Sequence, residues 1–153
     1  YHEPDLHPVV DFESYFDIFA QFLEKSQDQE VHFELGRALV AQCGSLISRV
    51  LYIKNGINTN FAILDAGMTE LIRPALYHAY HKIENISSPG SGLPDIKYDV
   101  VGPICESSDC FGKAVELPET RRGDLIAIRT AGAYGEVMTS SYNLRPKIRR
   151  LFL

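Results

Sequence analysis

Hydrophobic and polar positions near the start of the chain follow first a helical period and then a strand period. Aromatic and leucine side chains recur at helical spacing from Phe12 to Leu23, with Asp11 in the N-cap position and the polar run EKSQDQE after them. In VHFEL, residues 31–35, apolar and polar side chains alternate, which predicts a strand. Gly36 then predicts a turn into a stretch that is compatible with a helix.

From Ser45 onward the pattern becomes rich in strand signals. The strand-like runs are LISRVLYIK, FAILDAG, KYDVVGP, GKAVELP and GDLIAIRTAG. NGINTN and SSPGSGLPD are the turn and long-loop signals between them. This spacing predicts a mainly β domain, a closed barrel or a sandwich, at residues 45–153, after a short α/β segment at residues 1–44.

The composition is typical of a folded domain. The 153 residues are 45% hydrophobic and 23% charged, and the net charge of −5 argues against a general nucleic-acid binder. The sequence contains no apolar run long enough to span a membrane and no signal-peptide pattern at its start, so we expect a cytoplasmic protein. The odd set of Cys43, Cys105 and Cys110 predicts reduced thiols rather than a disulfide framework.

Two stretches contain residues suited to binding anions. In ELGR, backbone N–H groups at a helix start can hold a phosphate, although a plain surface turn with Arg37 exposed explains the same pattern. In DAGMTELIRPALYHAYH, Arg73 can form two parallel hydrogen bonds to a carboxylate and Tyr77 can add a neutral donor. His78 and His81 in the same stretch have no third ligand at a diagnostic spacing, so we expect no metal there.

The loop GPICESSDCFG places Cys105 beside Glu106, with Asp109 and Cys110 close behind. Its C-x4-C spacing lacks a second pair, which makes a zinc site a poor interpretation, and a reducing compartment disfavours a disulfide. Two interpretations stay open: a thiol that exchanges a proton beside a carboxylate, and an inert half-buried cysteine.

Tyr134 lies between Gly132 and Gly135 in AGAYGEVMTSSYN, so its hydroxyl can be held toward a ligand. We expect Met138 and Tyr142 to lie in the core.

Taken in order, ELGR, DAGMTELIRPALYHAYH, GPICESSDCFG and AGAYGEVMTSSYNLRP resemble the successive C-terminal motifs of the diaminopimelate decarboxylase family. The resemblance is closer than to the ornithine and arginine decarboxylases of the same fold type. It implies a β-barrel or sandwich domain of the alanine racemase and ornithine decarboxylase type, preceded by the last helix and strand of a (β/α)8 barrel that binds pyridoxal phosphate. The chain begins at Tyr1 without a methionine, and we expect it to be part of a longer protein.

The resemblance also implies roles for individual residues. The cofactor phosphate would be held by Glu34, Gly36 and Arg37, with Leu35 in place of the family's usual proline, and Arg37 would also reach the substrate. The remaining site residues implied are Arg73 and Tyr77 for substrate, Glu106 for its distal amino-acid end, Cys105 as proton donor, and Tyr134 for cofactor and substrate. Cys105 and Glu106 would enter the partner's site in a homodimer.

The implied reaction is conversion of meso-2,6-diaminopimelate to L-lysine and carbon dioxide. No lysine of this chain lies in a motif that matches the family's Schiff-base lysine, so we expect this chain alone to be inactive and to bind the cofactor weakly or not at all. Two alternatives stay open: a related decarboxylase of ornithine, arginine or carboxynorspermidine, and a non-catalytic binding homologue.

Overall fold

A computed structural model describes residues 11–26, 28–89 and 92–152. The helices are α1 (Phe12–Lys25), α2 (Arg37–Val40) and α3 (Arg73–Tyr77). The strands are β1 (Leu46–Asn55), β2 (Asn60–Leu64), β3 (Ile83–Asn85), β4 (Asp95–Val101), β5 (Cys110–Pro118) and β6 (Leu125–Ile128). A kinked helical turn at Gly132–Gly135 and two 3-10 turns, Glu136–Met138 and Tyr142–Leu144, follow the last strand.

Helix α1 forms where the aromatic spacing predicts it. The Asp11 side chain caps it by accepting a hydrogen bond from the Ser14 backbone N–H at 3.2 Å. Its aromatic face packs on Phe33, whose ring centroid lies 4.9 Å from that of Phe16 and 4.8 Å from that of Phe19. These edge-to-face contacts turn the chain back along the helix.

The prediction of a strand at residues 31–35 is wrong. The segment belongs to no ladder, because a strand exists only through hydrogen bonds to a neighbour and the six-stranded sheet contains other residues. The alternation of apolar and polar residues does not by itself produce a paired strand, and Phe33 packs in the aromatic cluster instead.

The six strands form one sheet in the order β3-β6-β1-β2-β4-β5. All neighbouring pairs are antiparallel except β2 and β4, which run parallel. The two ends of the order approach each other, since a Cβ placed on Gly112 of β5 would lie 3.2 Å from Ile83 Cδ1 of β3. The sheet is therefore nearly closed, and the prediction of a mainly β architecture is confirmed.

Strand periodicity explains the core. In β1, Leu46, Ser48 and Val50 are buried while the residues between them are exposed. The interior is filled by side chains from several strands, including Leu64, Val100 and Ile126, each 0% exposed. β3 was not predicted, because three residues are too short to show an alternation.

In the part of the chain that the structure describes, no helix combines the length and the apolar character needed to cross a membrane. The division between residues 1–44 and 45–153 stays a prediction.

Candidate functional site

The turn that contains Glu34, Gly36 and Arg37 is exposed and leads into α2. Gly36 has a φ of +36°, in the left-handed half of backbone space where a side chain is strained. The backbone closes there through hydrogen bonds from Ala38 N to Leu35 O at 3.0 Å and from Leu39 N to Gly36 O at 3.1 Å. The predicted turn into a helix is confirmed.

Tyr134 reaches this turn from the other end of the sequence. A Cβ placed on Gly36 would lie 3.5 Å from the Tyr134 hydroxyl oxygen. The approach depends on the backbone before Tyr134, where Gly132 N donates to Ala41 O at 2.9 Å and any Cβ on Gly132 would collide with Val40 O. Tyr134 itself has a φ of +62°, and its side chain is half-exposed.

Arg73 and Tyr77 lie together on α3, which has Pro74 in its first turn. The Arg73 side chain is buried at 6% exposure, whereas Tyr77 is 56% exposed. The guanidinium carbon lies 5.3 Å from the Tyr77 ring centroid, so the ring covers the buried charge. This pairing gives a planar donor group beside a half-exposed phenol.

The loop that contains Cys105 is anchored by Asp109, which is 4% exposed. Its Oδ1 accepts from Met68 N at 2.6 Å and its Oδ2 from Ile104 N at 2.7 Å. A Cβ on Gly67 would lie 2.9 Å from Oδ2, and one on Gly102 would collide with it. The glycines therefore leave the space that this carboxylate needs.

The same burial raises the pKa of Asp109 above its ordinary range, and the two backbone hydrogen bonds oppose that shift. The buried Asp109 side chain anchors the loop through its hydrogen bonds to Met68 N and Ile104 N. Cys105 and Glu106 are exposed at the tip of the loop.

Tyr142 is part of this site, and its expected place in the core is wrong. It is 50% exposed, and its hydroxyl donates to Glu106 Oε1 at 2.6 Å. The hydrogen bond to Glu106 and the negative charge of that carboxylate raise the pKa of Tyr142. The sequence pattern could not reveal the pair, because the two residues are 36 positions apart.

The turn at residues 65–70 supports both sides of this pair. On one side it is joined to the Cys105 loop through Met68 and Asp109. On the other, Ser140 N donates to Thr69 O at 3.0 Å, Arg145 Nε lies 3.4 Å from Glu70 Oε1, and Arg145 also donates to Asp65 O.

A cavity of about 410 Å³ lies between the end of α3 and the start of β5. Its lining includes His78, Ser107, Cys110 and Lys113. Burial raises the pKa of the Cys110 thiol, and all three cysteines are free. The cavity therefore lies between the helix that contains Arg73 and Tyr77 and the loop that contains Cys105.

His81, unlike the exposed His78, is buried at 2% exposure, and its Nδ1 lies 2.9 Å from Arg129 O. Burial lowers its pKa. Among residues 11–26, 28–89 and 92–152, no cluster of His, Cys, Asp and Glu could hold a metal ion.

The model of one protein family, described as the pyridoxal-dependent decarboxylase C-terminal sheet domain, matches residues 9–132. The chain belongs to this family. The match covers α1, all six strands and the first three of the four motifs, so the predicted family membership is confirmed.

Relatives and solved structures agree with the family. The chain is 63% identical to a Bacteroides thetaiotaomicron protein named diaminopimelate decarboxylase, over 95% of this chain and 37% of that protein. A crystal structure of diaminopimelate decarboxylase matches with a TM-score of 0.81 and 35% identity, over 93% of this chain and 37% of that one. Another, from Helicobacter pylori and complexed with L-lysine, matches with a TM-score of 0.75 and 46% identity, over 87% and 33%. The chain spans about a third of the length of these relatives.

Proposed function

We propose that this chain is the C-terminal part of a pyridoxal-phosphate-dependent diaminopimelate decarboxylase. The enzyme would convert meso-2,6-diaminopimelate to L-lysine and carbon dioxide. The observation that supports this most strongly is the 63% identity, over 95% of the chain, to the Bacteroides thetaiotaomicron protein of that name. The L-lysine in the Helicobacter pylori complex has the chemistry of the expected product.

The residues around Gly36 fit the phosphate end of the cofactor. The missing Cβ leaves a space within reach of the Tyr134 hydroxyl, 3.5 Å from where that Cβ would lie, and Arg37 adds a positive charge beside it. Glu34, Gly36, Arg37 and Tyr134 are therefore assigned to holding pyridoxal phosphate, with Arg37 and Tyr134 also facing the substrate. When bound, the cofactor supplies the electron sink for decarboxylation.

Arg73, Tyr77 and Glu106 are assigned to the substrate. The Arg73 guanidinium, whose carbon lies 5.3 Å from the Tyr77 ring centroid, can bind the distal carboxylate of diaminopimelate through two parallel hydrogen bonds. The Glu106 carboxylate suits the distal ammonium group. Ornithine has the distal ammonium but no distal carboxylate, so this pair of charges favours diaminopimelate.

Cys105 is assigned as the proton donor. Its Sγ is exposed at the tip of a loop that Asp109 holds in place, so the thiol can return a proton to the carbon that lost carbon dioxide. In the homodimer that we propose, this loop enters the active site of the partner subunit. Three free thiols support a reducing compartment, and we propose a cytoplasmic location.

The experiment compares the full-length parent enzyme with the isolated 153-residue chain. The full-length enzyme should release carbon dioxide from meso-diaminopimelate much faster than from L-ornithine or L-arginine. The isolated chain should release carbon dioxide from none of these amino acids, and it should show no absorbance band of lysine-bound cofactor. Faster turnover of ornithine or arginine would refute the substrate, and a stoichiometric band on the isolated chain would refute its inactivity.

Matched cysteine variants test the proton donor in the full-length enzyme. Cys105→Ala should lower kcat by about a hundredfold or more, because general acid–base groups contribute factors of that order. Cys43→Ala, which removes another exposed thiol, should leave kcat unchanged. Equal effects of the two changes would exclude the assigned role.

A further inference from the structure

The hydrogen bond from Tyr142 to Glu106 joins two segments that are far apart in sequence. Its length of 2.6 Å is typical of a hydroxyl that donates to an ionised carboxylate. Both side chains are exposed, so water competes for each of them. Holding the backbone on both sides in position lowers the entropy cost of forming such a bond.

Both backbones are held by the same turn, residues 65–70. On the Glu106 side, the Asp109 carboxylate accepts from Met68 N, and Asp109 N donates to Glu106 O at 3.1 Å. On the Tyr142 side, Arg145 N donates to Tyr142 O at 3.3 Å, and the Arg145 guanidinium pairs with Glu70. The segments of Tyr142 and Glu106 are thus both attached to the same turn.

That support is itself tied to the sheet. The Asp65 Oδ1 accepts from Ser48 Oγ at 2.5 Å and from Arg49 N at 2.8 Å, and Gly67 N donates to Glu70 Oε2 at 2.7 Å. Hydrogen bonds to β1 therefore fix the position of the turn.

In this hydrogen bond the Tyr142 hydroxyl is the donor and the Glu106 carboxylate is the acceptor. The hydrogen bond to Glu106 raises the pKa of Tyr142 above its ordinary value of 10.0, so the hydroxyl keeps its proton at neutral pH. An ionised carboxylate has about four acceptor positions on its two oxygens, so one hydrogen bond leaves most of them available.

We propose that Tyr142 is a positioning residue for substrate recognition: it fixes the Glu106 carboxylate so that its remaining lone pairs face the distal ammonium of the amino-acid substrate. This inference rests on the proposed function and adds a residue to it. Tyr142 acts through Glu106. Its hydroxyl lowers the cost of ordering a flexible, exposed side chain when the substrate binds.

The test uses Tyr142→Phe in the full-length holoenzyme, since this change removes only the hydroxyl. We expect the KM for meso-diaminopimelate to rise about tenfold, as for loss of a hydrogen bond to a charged group, with kcat within about twofold of wild type. Tyr52→Phe, the same change at an exposed tyrosine of β1, should alter neither value. An unchanged KM, or a loss confined to kcat, would overturn the inference.

A double-mutant cycle shows whether Tyr142 acts through Glu106. Glu106→Gln should raise the KM by itself, and adding Tyr142→Phe should then raise it by less than about twofold. Independent, multiplying effects of the two changes would contradict a shared role.

A titration separates this inference from the proposed function. With ring-labelled tyrosine followed by NMR, the pKa of Tyr142 should fall in Glu106→Gln relative to wild type, whichever amino acid the enzyme decarboxylates. If the pKa falls but meso-diaminopimelate is not a substrate, the proposed function is refuted and the hydrogen bond between Tyr142 and Glu106 is supported. If the pKa is the same in both proteins, the hydrogen bond between Tyr142 and Glu106 is refuted and the proposed function is unaffected.

Discussion

In the sheet, Leu64 and Ile126 are 0% exposed, whereas in α1 no residue is buried and Ile18 is 66% exposed. Both regions contain regularly spaced apolar side chains. The sheet buries them because strands from residues 46–128 close around one interior. Among the residues that the structure describes, the segment around Phe33 packs against the aromatic face of α1 and covers it in part.

This difference shows that the apolar face of α1 is suited to a larger surface than the segment around Phe33 provides. An amphipathic helix is stabilised mostly by tertiary packing of its apolar face. In the function we propose, the barrel domain of the parent enzyme supplies that surface. Three paired substitutions, each with one member in the sheet region and one in or beside α1, test the contrast.

The largest effect is expected from truncating apolar side chains. Leu64→Ala should lower the free energy of unfolding of this chain by about 2–5 kcal/mol, because it leaves a cavity in a closed core. Ile18→Ala should lower it by less than about 0.5 kcal/mol, since the side chain is already in water. Urea denaturation followed by circular dichroism measures both values. Similar losses would show that α1 contributes to the same cooperative core.

The next effect concerns buried and exposed carboxylates. Asp109→Ala should lower the free energy of unfolding by about 1–3 kcal/mol, because the backbone N–H groups of Met68 and Ile104 lose their acceptor. Those two amides should also exchange hydrogen faster. Asp17→Ala, at an exposed position of α1, should leave both measurements near wild type. Unchanged exchange at Met68 and Ile104 would count against Asp109 as the anchor of the loop.

The smallest effect is a pH dependence. Burial lowers the pKa of His81 below its ordinary value of 6.5, so the unfolded chain takes up a proton before the folded one as pH falls. Stability from this residue is therefore present above pH 6.5 and lost as pH falls toward the lowered pKa. The loss should disappear in His81→Asn and persist in His32→Asn, whose ring is 85% exposed. Unfolding free energies measured above and below pH 6.5 decide between these outcomes.

Much of the fold was predictable because it is local. Apolar spacing located α1, and the alternation in β1 located a strand whose buried and exposed faces follow the same period. The same alternation failed at residues 31–35, because a period reports which way side chains point and not whether a neighbouring strand exists. β3 escaped because its three residues become a strand only by pairing with β6.

The candidate site divides in the same way. Cys105, Glu106, Arg73 and Tyr134 could be singled out from their motifs, since each lies in a short run with unusual composition. Their roles stay proposals. Tyr142 and the anchoring function of Asp109 could not be singled out, because they depend on contacts with residues 36 and 41 positions away.

By itself the sequence determined the family, the mainly β architecture and the segments that supply chemistry, because these follow from short-range periodicity and from motifs in a set order. Only the tertiary structure decided which segments meet: the Tyr134 hydroxyl above Gly36, Asp109 behind the Cys105 loop, and Tyr142 against Glu106. The physical reason is that these contacts close over long stretches of chain. The contacts of Asp109 and Tyr142 depend on the turn at residues 65–70, which hydrogen bonds hold against β1. The contact of Tyr134 depends on the backbone hydrogen bond from Gly132 N to Ala41 O. No local sequence pattern encodes either arrangement.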